Sequence, residues 1–186
     1  MFGSVERFLV ERLRLVVNRD KSRVCRTAGV EFLGYCFVGF GGQIRISDKN
    51  ITKFKQRCRE ITRRIGGLSL EHRLFVLRRY LRGWIDYFVL EQRKSVARDL
   101  DKWLRRRIRA CIWKTWRLPR TRVRHLKQLG IEHNDAMGFG CSRKGAWRLS
   151  QTSGVQHAMT NAWLAEQGLL SLLERWSELA QQRRTA

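Results

Sequence analysis

The sequence predicts an α+β fold, mostly α: a small N-terminal module with a β-hairpin, an antiparallel three-helix bundle, and C-terminal helices. Three observations carry this. Residues 30–47, VEFLGYCFVGFGGQIRIS, alternate around a glycine-rich turn, which is the period of half-buried strands. From residue 48 the apolar residues recur every three or four positions, the period of amphipathic helices. The chain's single proline, Pro119, marks the end of a third long helical stretch, because the residue before proline is pushed out of the helical region.

The elements follow in order. SVERFLVERLR, residues 4–14, sets Val5, Phe8, Leu9 and Leu13 at helical spacing behind a Ser4 cap. LVVNRDKSRV, residues 15–24, reads as a short β-prone run, a polar loop over 18–22, and a second extended piece. In residues 30–47, Leu33, Tyr35 and Phe37 alternate with Gly34 and Cys36, GFGG at 39–42 turns the chain, and QIRIS alternates again. A lone hairpin is marginal in water and its edge is open, so another element is expected to cover it.

Asp48 or Asn50 caps the next helix, with Phe54, Cys58, Ile61 and Ile65 on one face and Gly66–Gly67 at its end. Ser69 caps a helix whose Leu70, Leu74, Leu77, Leu81, Trp84 and Phe88 form a continuous seam. A third helix, about 95–116, buries Val96, Leu100, Trp103, Leu104, Ile108, Cys111 and Ile112. Short connections make these three antiparallel. RTRVRHLKQLG restarts a short helix closed by Gly130. The remainder begins as loop at GFGCSRKGAW and continues as helices over about 153–166 and 168–180, with a nearly neutral surface that suits packing better than binding. The expected divisions are residues 1–47, 48–130 and 131–186.

Charge is the strongest functional signal. There are 39 Lys and Arg against 16 Asp and Glu, a net +23. Residues 51–130 alone hold 24 basic and 6 acidic side chains, or +18, while the flanking parts hold +4 and +1. An ordinary solvated surface mixes both signs. A localised field of one sign on a folding sequence points to a polyanion, and nucleic acid is the usual one.

Several classes find no support. The five cysteines (25, 36, 58, 111, 141) are odd in number and include no C-x-x-C pair, which suits reduced thiols in a cytoplasmic protein. Cys58 and Cys111 fall on apolar helix faces and read as small buried hydrophobes. The four histidines are scattered, so no metal site is expected. Asp99 and Asp101 point to different helix faces, and Glu132 with Asp135 flanks a helix end, where a cap is the natural role. GFGG is followed by no GK[ST], so it is a turn and not a phosphate loop. No run of 18 apolar residues or signal peptide occurs, so no membrane partner is expected.

Binding has candidates. Arg57, Arg63 and Arg64, then Arg78, Arg79 and Arg82, then Arg105, Arg106 and Arg109 recur on three successive helices, where guanidinium groups can track a phosphate backbone. Lys114, Arg117, Arg120, Arg122 and Lys144 extend the set. Trp113 and Trp116 stand beside these cations, where unpaired bases stack. Core packing is the competing role: it is preferred for Trp84 and Trp103, and evenly balanced with stacking for Trp116.

Taken together, LRLVVNRDKSRV, EFLGYCF, LRGWIDYF, LDKWLRRRIRACIWKTWRLPRTRVRHLKQLGI, SRKGAWRLS and TNAWLAEQGL, in that order, resemble the C-terminal part of group II intron-encoded reverse transcriptase/maturases. The resemblance covers about residues 4–175. It implies that residues 1–47 are the end of a polymerase palm with a primer-grip hairpin, in which Phe32, Leu33, Gly34 and Tyr35 form the primer-grip strand and Lys21 approaches the incoming nucleotide. It implies that residues 48–130 are the thumb, or maturase domain X, that residues 131–186 complete it with capping helices, and that the partner is group II intron RNA.

The departures shape the expectation. No Tyr-x-Asp-Asp occurs and no zinc-bearing endonuclease module follows. The expected role is therefore an RNA-binding maturase fragment that assists splicing, with no catalytic residue, metal or cofactor of its own. Two alternatives stay open. One is the C-terminal piece of a split or frameshifted RNA-directed DNA polymerase, active only with a separate palm and with Mg bound only if that separately encoded palm fragment completes the site. The other is a remnant without function.

Overall fold

The computed structural model describes residues 2–22, 24–26, 29–39, 42–63 and 68–185. Helices dominate it and a small antiparallel sheet completes it, a mostly-α α+β architecture. The chain divides into two compact units, Met1–Ser47 and Asp48–Ala186.

The first unit holds helix α1 (Phe2–Glu11) and strands β1 (Glu31–Phe32), β2 (Tyr35–Val38) and β3 (Gln43–Ile46), in the sheet order β1-β2-β3. Its expected hairpin is β2 with β3, where Tyr35 pairs with Ile46 and Val38 with Gln43. Phe40 and Gly41 of the turn lie outside the described residues, and the Gly42 N–H donates to the Gly39 carbonyl at 3.3 Å.

One expectation is corrected here. Phe32, Leu33, Gly34 and Tyr35 do not run as one strand, because Phe32 pairs with Tyr35 across a two-residue turn. Leu33 at φ +49 and Gly34 at φ +82 both take the left-handed conformation, the signature of a type I′ hairpin. Leu-Gly is not among the usual type I′ pairs, which favour Asn, Asp or Gly at the first position, so the sequence did not reveal it. The β-prone run at 15–17 forms no strand, and Val16 is fully exposed. Helix α1 begins at Phe2, which places Ser4 inside it rather than at its cap.

The second unit is helical throughout. Helix α2 (Asp48–Ile61) buries Phe54 and Cys58, and it includes Asp48 and Asn50 in its first turn. Ile65, Gly66 and Gly67, expected at its end, lie outside the described residues. Helix α3 (Leu70–Tyr87) starts at Ser69, whose side chain accepts the His72 N–H, and it buries Leu74, Leu77, Leu81 and Ile85. Helix α4 (Lys94–Thr115) is the longest. Helix α5 (Pro119–Gln128) places Pro119 in its first turn, where a missing N–H costs nothing.

Gly130, at φ +86, closes α5. Its N–H reaches the Lys127 carbonyl, and the Ile131 N–H reaches Leu126, which is the Schellman pattern. Helix α6 (His133–Gly140) is capped by Glu132, whose carboxylate accepts the N–H groups of Asn134 and Asp135. Residues 138–140, expected as loop, belong to it.

The helix expected over 153–166 is two: α8 (Ser153–Ala158) and α9 (Asn161–Glu166), after the short α7 (Ala146–Leu149). The break has two causes. The Thr160 hydroxyl accepts the Trp163 N–H and so caps α9, while the Met159 carbonyl is taken by Arg109 Nε at 2.8 Å. A second Schellman turn at Gly168 then separates α9 from α10 (Leu172–Thr185), which starts four residues later than expected.

Residues from α2 through α10 share one apolar core that includes Phe54, Leu77, Leu104, Ile112, Leu126, Met159 and Leu172. Two polar clamps fasten α10 to the rest. Arg175 forks onto Asp86 of α3 at 2.9 and 3.3 Å. On α4, the buried Asp101 accepts from the Leu172 and Leu173 N–H groups, the Ser171 hydroxyl and Arg105. A carboxylate so placed neutralises the positive end of α10 from outside that helix.

Asp101→Ala is expected to lower stability by about 3 kcal/mol, since it strands buried donors. Asp99→Ala, on the exposed side of the same helix, is expected to stay within about 0.5 kcal/mol. Urea unfolding of both variants checks this.

A pH dependence follows as well. Burial pushes the Cys58 thiol from 9.0 up to about 12 and the Tyr80 phenol from 10.0 up to about 12. Above about pH 9 the unfolded chain therefore releases protons that the folded chain keeps. Melting temperatures are expected to fall as pH rises from 9 towards 12.

Candidate nucleic-acid interface

The exposed cations of the second unit sort by helix face. On α3, Arg78, Arg79 and Arg82 form one stripe with the exposed Phe75, about a quarter turn from the buried seam. Arg79 lies 5.9 Å from the Phe75 ring centre. On α2, Arg57 is exposed but paired with Glu60 at 2.9 Å, and Arg63 is exposed just past the helix end. Arg64 lies outside the described residues. Lys114, Arg117 and Lys144 are exposed. In the first unit, Lys21 is exposed in a turn whose N–H is held by Asn18 Oδ1 at 3.1 Å, and Phe32 and Leu33 are exposed while Tyr35 is buried.

Helix α5 offers the most organised surface. Arg120, Arg124 and Lys127 stand at i, i+4 and i+7, and line one wall of a cleft of about 650 Å³. His133, Met137 and Cys141 of the α6 segment form the opposite wall, and Val123 forms the floor. The two helices can approach closely because Gly140 faces Val123, where a Cβ would sit 2.6 Å from Val123 Cγ2. No carboxylate lines the cleft among the described residues. A basic wall over an apolar floor can hold a phosphate chain on one side and a base or other flat apolar group on the other.

Other expected contacts prove to be internal. Arg109 is buried and donates from Nε to the Met159 carbonyl and from Nη2 to Asn161 Oδ1 at 3.1 Å. Burial, and then the neighbouring Arg105, hold its pKa below the usual guanidinium value. Trp116 is buried, stacked on His125 with ring centres 4.6 Å apart, and its carbonyl accepts Arg122 Nε. Trp113 is also buried. Neither tryptophan is a surface platform, and Arg109 and Arg122 serve as anchors. Arg105 and Arg106 are half-buried, the first on Asp101 and the second with its guanidinium 3.9 Å from the Trp147 ring centre.

Some participants were not among the expected residues. Arg124 and Lys127 complete the α5 face, and the spacing from Arg120 carried that signal. Arg73 is buried on α3, and Arg107 donates to the Thr62 hydroxyl at 2.9 Å, its pKa lowered mainly by burial. Nothing in local sequence separates those two from the exposed arginines beside them. Among the described residues no group of three or more His, Cys, Asp or Glu could hold a metal ion, and no helix is long and apolar enough to cross a membrane.

Comparison with known families gives one match. Residues 51–130 match the model of the group II intron, maturase-specific domain. Comparison with curated proteins gives no match. The matched segment runs from α2 through α5, so it holds the basic wall of the cleft and the α3 stripe.

The division between anchoring and surface arginines is measurable. Arg109→Ala is expected to lower stability by roughly 2–4 kcal/mol, because the Met159 carbonyl and Asn161 lose their donor. Arg78→Ala is expected to leave the urea midpoint nearly unchanged.

Proposed function

We propose that this chain, whose residues 51–130 match the model of the group II intron, maturase-specific domain, binds intron RNA through the exposed cations of its helices and assists that RNA in reaching its splicing-competent fold. The observation that carries this reading is the α5 wall: Arg120, Arg124 and Lys127 on one helix face, over an apolar floor and with no carboxylate lining the cleft. Arg78, Arg79 and Arg82 of α3 supply a second line of phosphate contacts, with Phe75 beside them for stacking.

On this reading the protein contributes binding free energy and the RNA performs the transesterification. Neutralising phosphates where RNA segments approach one another offsets their repulsion, and a rigid helical scaffold fixes their spacing. Polymerase chemistry has no place in this reading, because it needs carboxylates arranged to hold metal ions. Arg57, Arg63, Lys114, Arg117 and Lys144 belong to the outer field, which steers the encounter more than it sets affinity.

Filter binding of the full chain to intron RNA across a salt series tests this. Affinity is expected to fall steeply and log-linearly with salt. Replacing Arg120, Arg124 and Lys127 together by Gln is expected to reduce the slope by about 2. A slope near zero for the unaltered chain would sink the proposal.

A further inference from the structure

The half-buried arginines of α4 converge on a second cavity, separate from the α5 cleft. Lys102, Arg105, Arg106 and Arg109 line it from α4, at i, i+3, i+4 and i+7 on one helix face. The segment from Ser150 to Asn161 forms the other side, with Gln151 and Gln156 as neutral amides. The volume is about 390 Å³ and no carboxylate lines it among the described residues. That is room for several waters or for one phosphodiester with its flanking sugar atoms.

The three guanidiniums are held in place by the fold around the cavity, including Asn161 of its own wall. Arg106 donates from Nε and Nη2 to the Trp147 carbonyl, at 3.3 and 3.1 Å, and its guanidinium carbon lies 3.9 Å from the Trp147 ring centre. Arg109 spends Nε and Nη2 on Met159 and Asn161. Arg105 spends Nη2 on Asp101, whose remaining capacity goes to the start of α10. The Nη1 groups of all three make no hydrogen bond among the described residues, nor does the Lys102 ammonium.

Scaffolding alone explains the pinned edges of these arginines. It does not explain why four like charges share one face opposite a polar wall, with Asp101 on Arg105 as the one ion-pair partner among the described residues. Their mutual repulsion raises the free energy of the empty cavity, and an anion would relieve it. The opening favours a tethered anion. Lys102, Gln151 and Gln156 are exposed, so a phosphate still attached to its chain can enter from that side. Guanidiniums already fixed by the fold lose little further entropy on binding, which suits a recurring phosphate contact.

We propose that this cavity is a phosphate-binding site that takes one phosphodiester group of a bound RNA, with Lys102 and the Nη1 groups of Arg105, Arg106 and Arg109 as donors. The assignment rests on the RNA-binding reading above, and it adds a specific contact in a part of the fold that the α5 cleft does not reach through its own lining residues.

Lys102 is the group to alter, since it is exposed and makes no internal bond. In the full chain, binding to a short fluorescent single-stranded oligoribonucleotide is measured across a salt series. Lys102→Glu is expected to weaken binding about tenfold, and Lys102→Gln about threefold with a salt slope lower by roughly 0.7. Lys94→Glu makes the same charge change on the same helix, outside the cavity, and is expected to cost less than about twofold.

Equal losses for Lys102→Glu and Lys94→Glu would overturn the cavity assignment and leave RNA binding standing. Absence of salt-dependent binding by the unaltered chain would overturn both. Inorganic pyrophosphate separates the remaining source. If it raises the melting temperature of the unaltered chain but not of Lys102→Glu, while RNA affinity is the same for both, the site serves free phosphate and the RNA assignment fails.

Discussion

The Asp101 carboxylate is the point on which the second unit depends. It sits buried on α4, in a chain with a large excess of cations, and one oxygen accepts from the first N–H of α10 while the other gathers Ser171, Leu173 and Arg105. Part of the limited acid is used in this way. Asp86 holds Arg175, Glu132 caps α6, and Glu91 is buried and receives the Arg93 N–H. Glu71, Asp99, Asp135, Glu166 and Glu174 stay exposed. Helix α5 carries no acidic residue of its own, so the field that suits a polyanion is least opposed there.

Helix α4 shows why arginine content alone does not locate an interface. Residues 108 to 113 are buried without a break, a run longer than one and a half turns, so every face of that stretch is covered. Arg109 lies inside it and can remain charged there because the Met159 carbonyl and Asn161 meet its donors. Arg105 and Arg106, one turn earlier, are only half covered. Along a single helix the same residue type passes from lining a cavity to stapling a core, and the change is set by what packs against it from tens of residues away.

That distance also marks what the sequence could convey. The Ser69 cap, the helix end before Pro119, the Gly130 stop and the seam from Leu74 to Leu81 are local, and each was legible from residue type and spacing. The turn at Leu33–Gly34 was hidden because its first residue is a leucine at positive φ, where Asn, Asp or Gly is the usual signal. The break at Met159 was hidden because half its cause is an arginine fifty positions earlier. Trp116 could not be assigned from its place near a helix end, since its cover is His125 on the next helix. Of the candidate interface, the α3 stripe was readable. The cleft was not, because its second wall belongs to α6 and no pattern in α5 announces it.

The two cation-lined cavities differ in a way that bears on their roles. In the α5 cleft the basic side chains are exposed, save that the floor beneath them is apolar, and they can follow a backbone of variable shape. In the α4 cavity the guanidinium planes are fixed by carbonyls, an amide, an aromatic face and a carboxylate before any partner arrives. Mobile lysines and arginines give a salt-sensitive attraction with little geometric demand. Pinned guanidiniums give directional donors whose ordering has already been met by folding, so they select position. The proposed RNA-binding role would draw on both: the first kind to gather the polyanion, and the second to hold one of its phosphates at a defined distance from the core. The fold places that second kind where α4 meets the segment carrying α7 to α9, so any motion of that segment would shift these guanidiniums through Trp147, Met159 and Asn161.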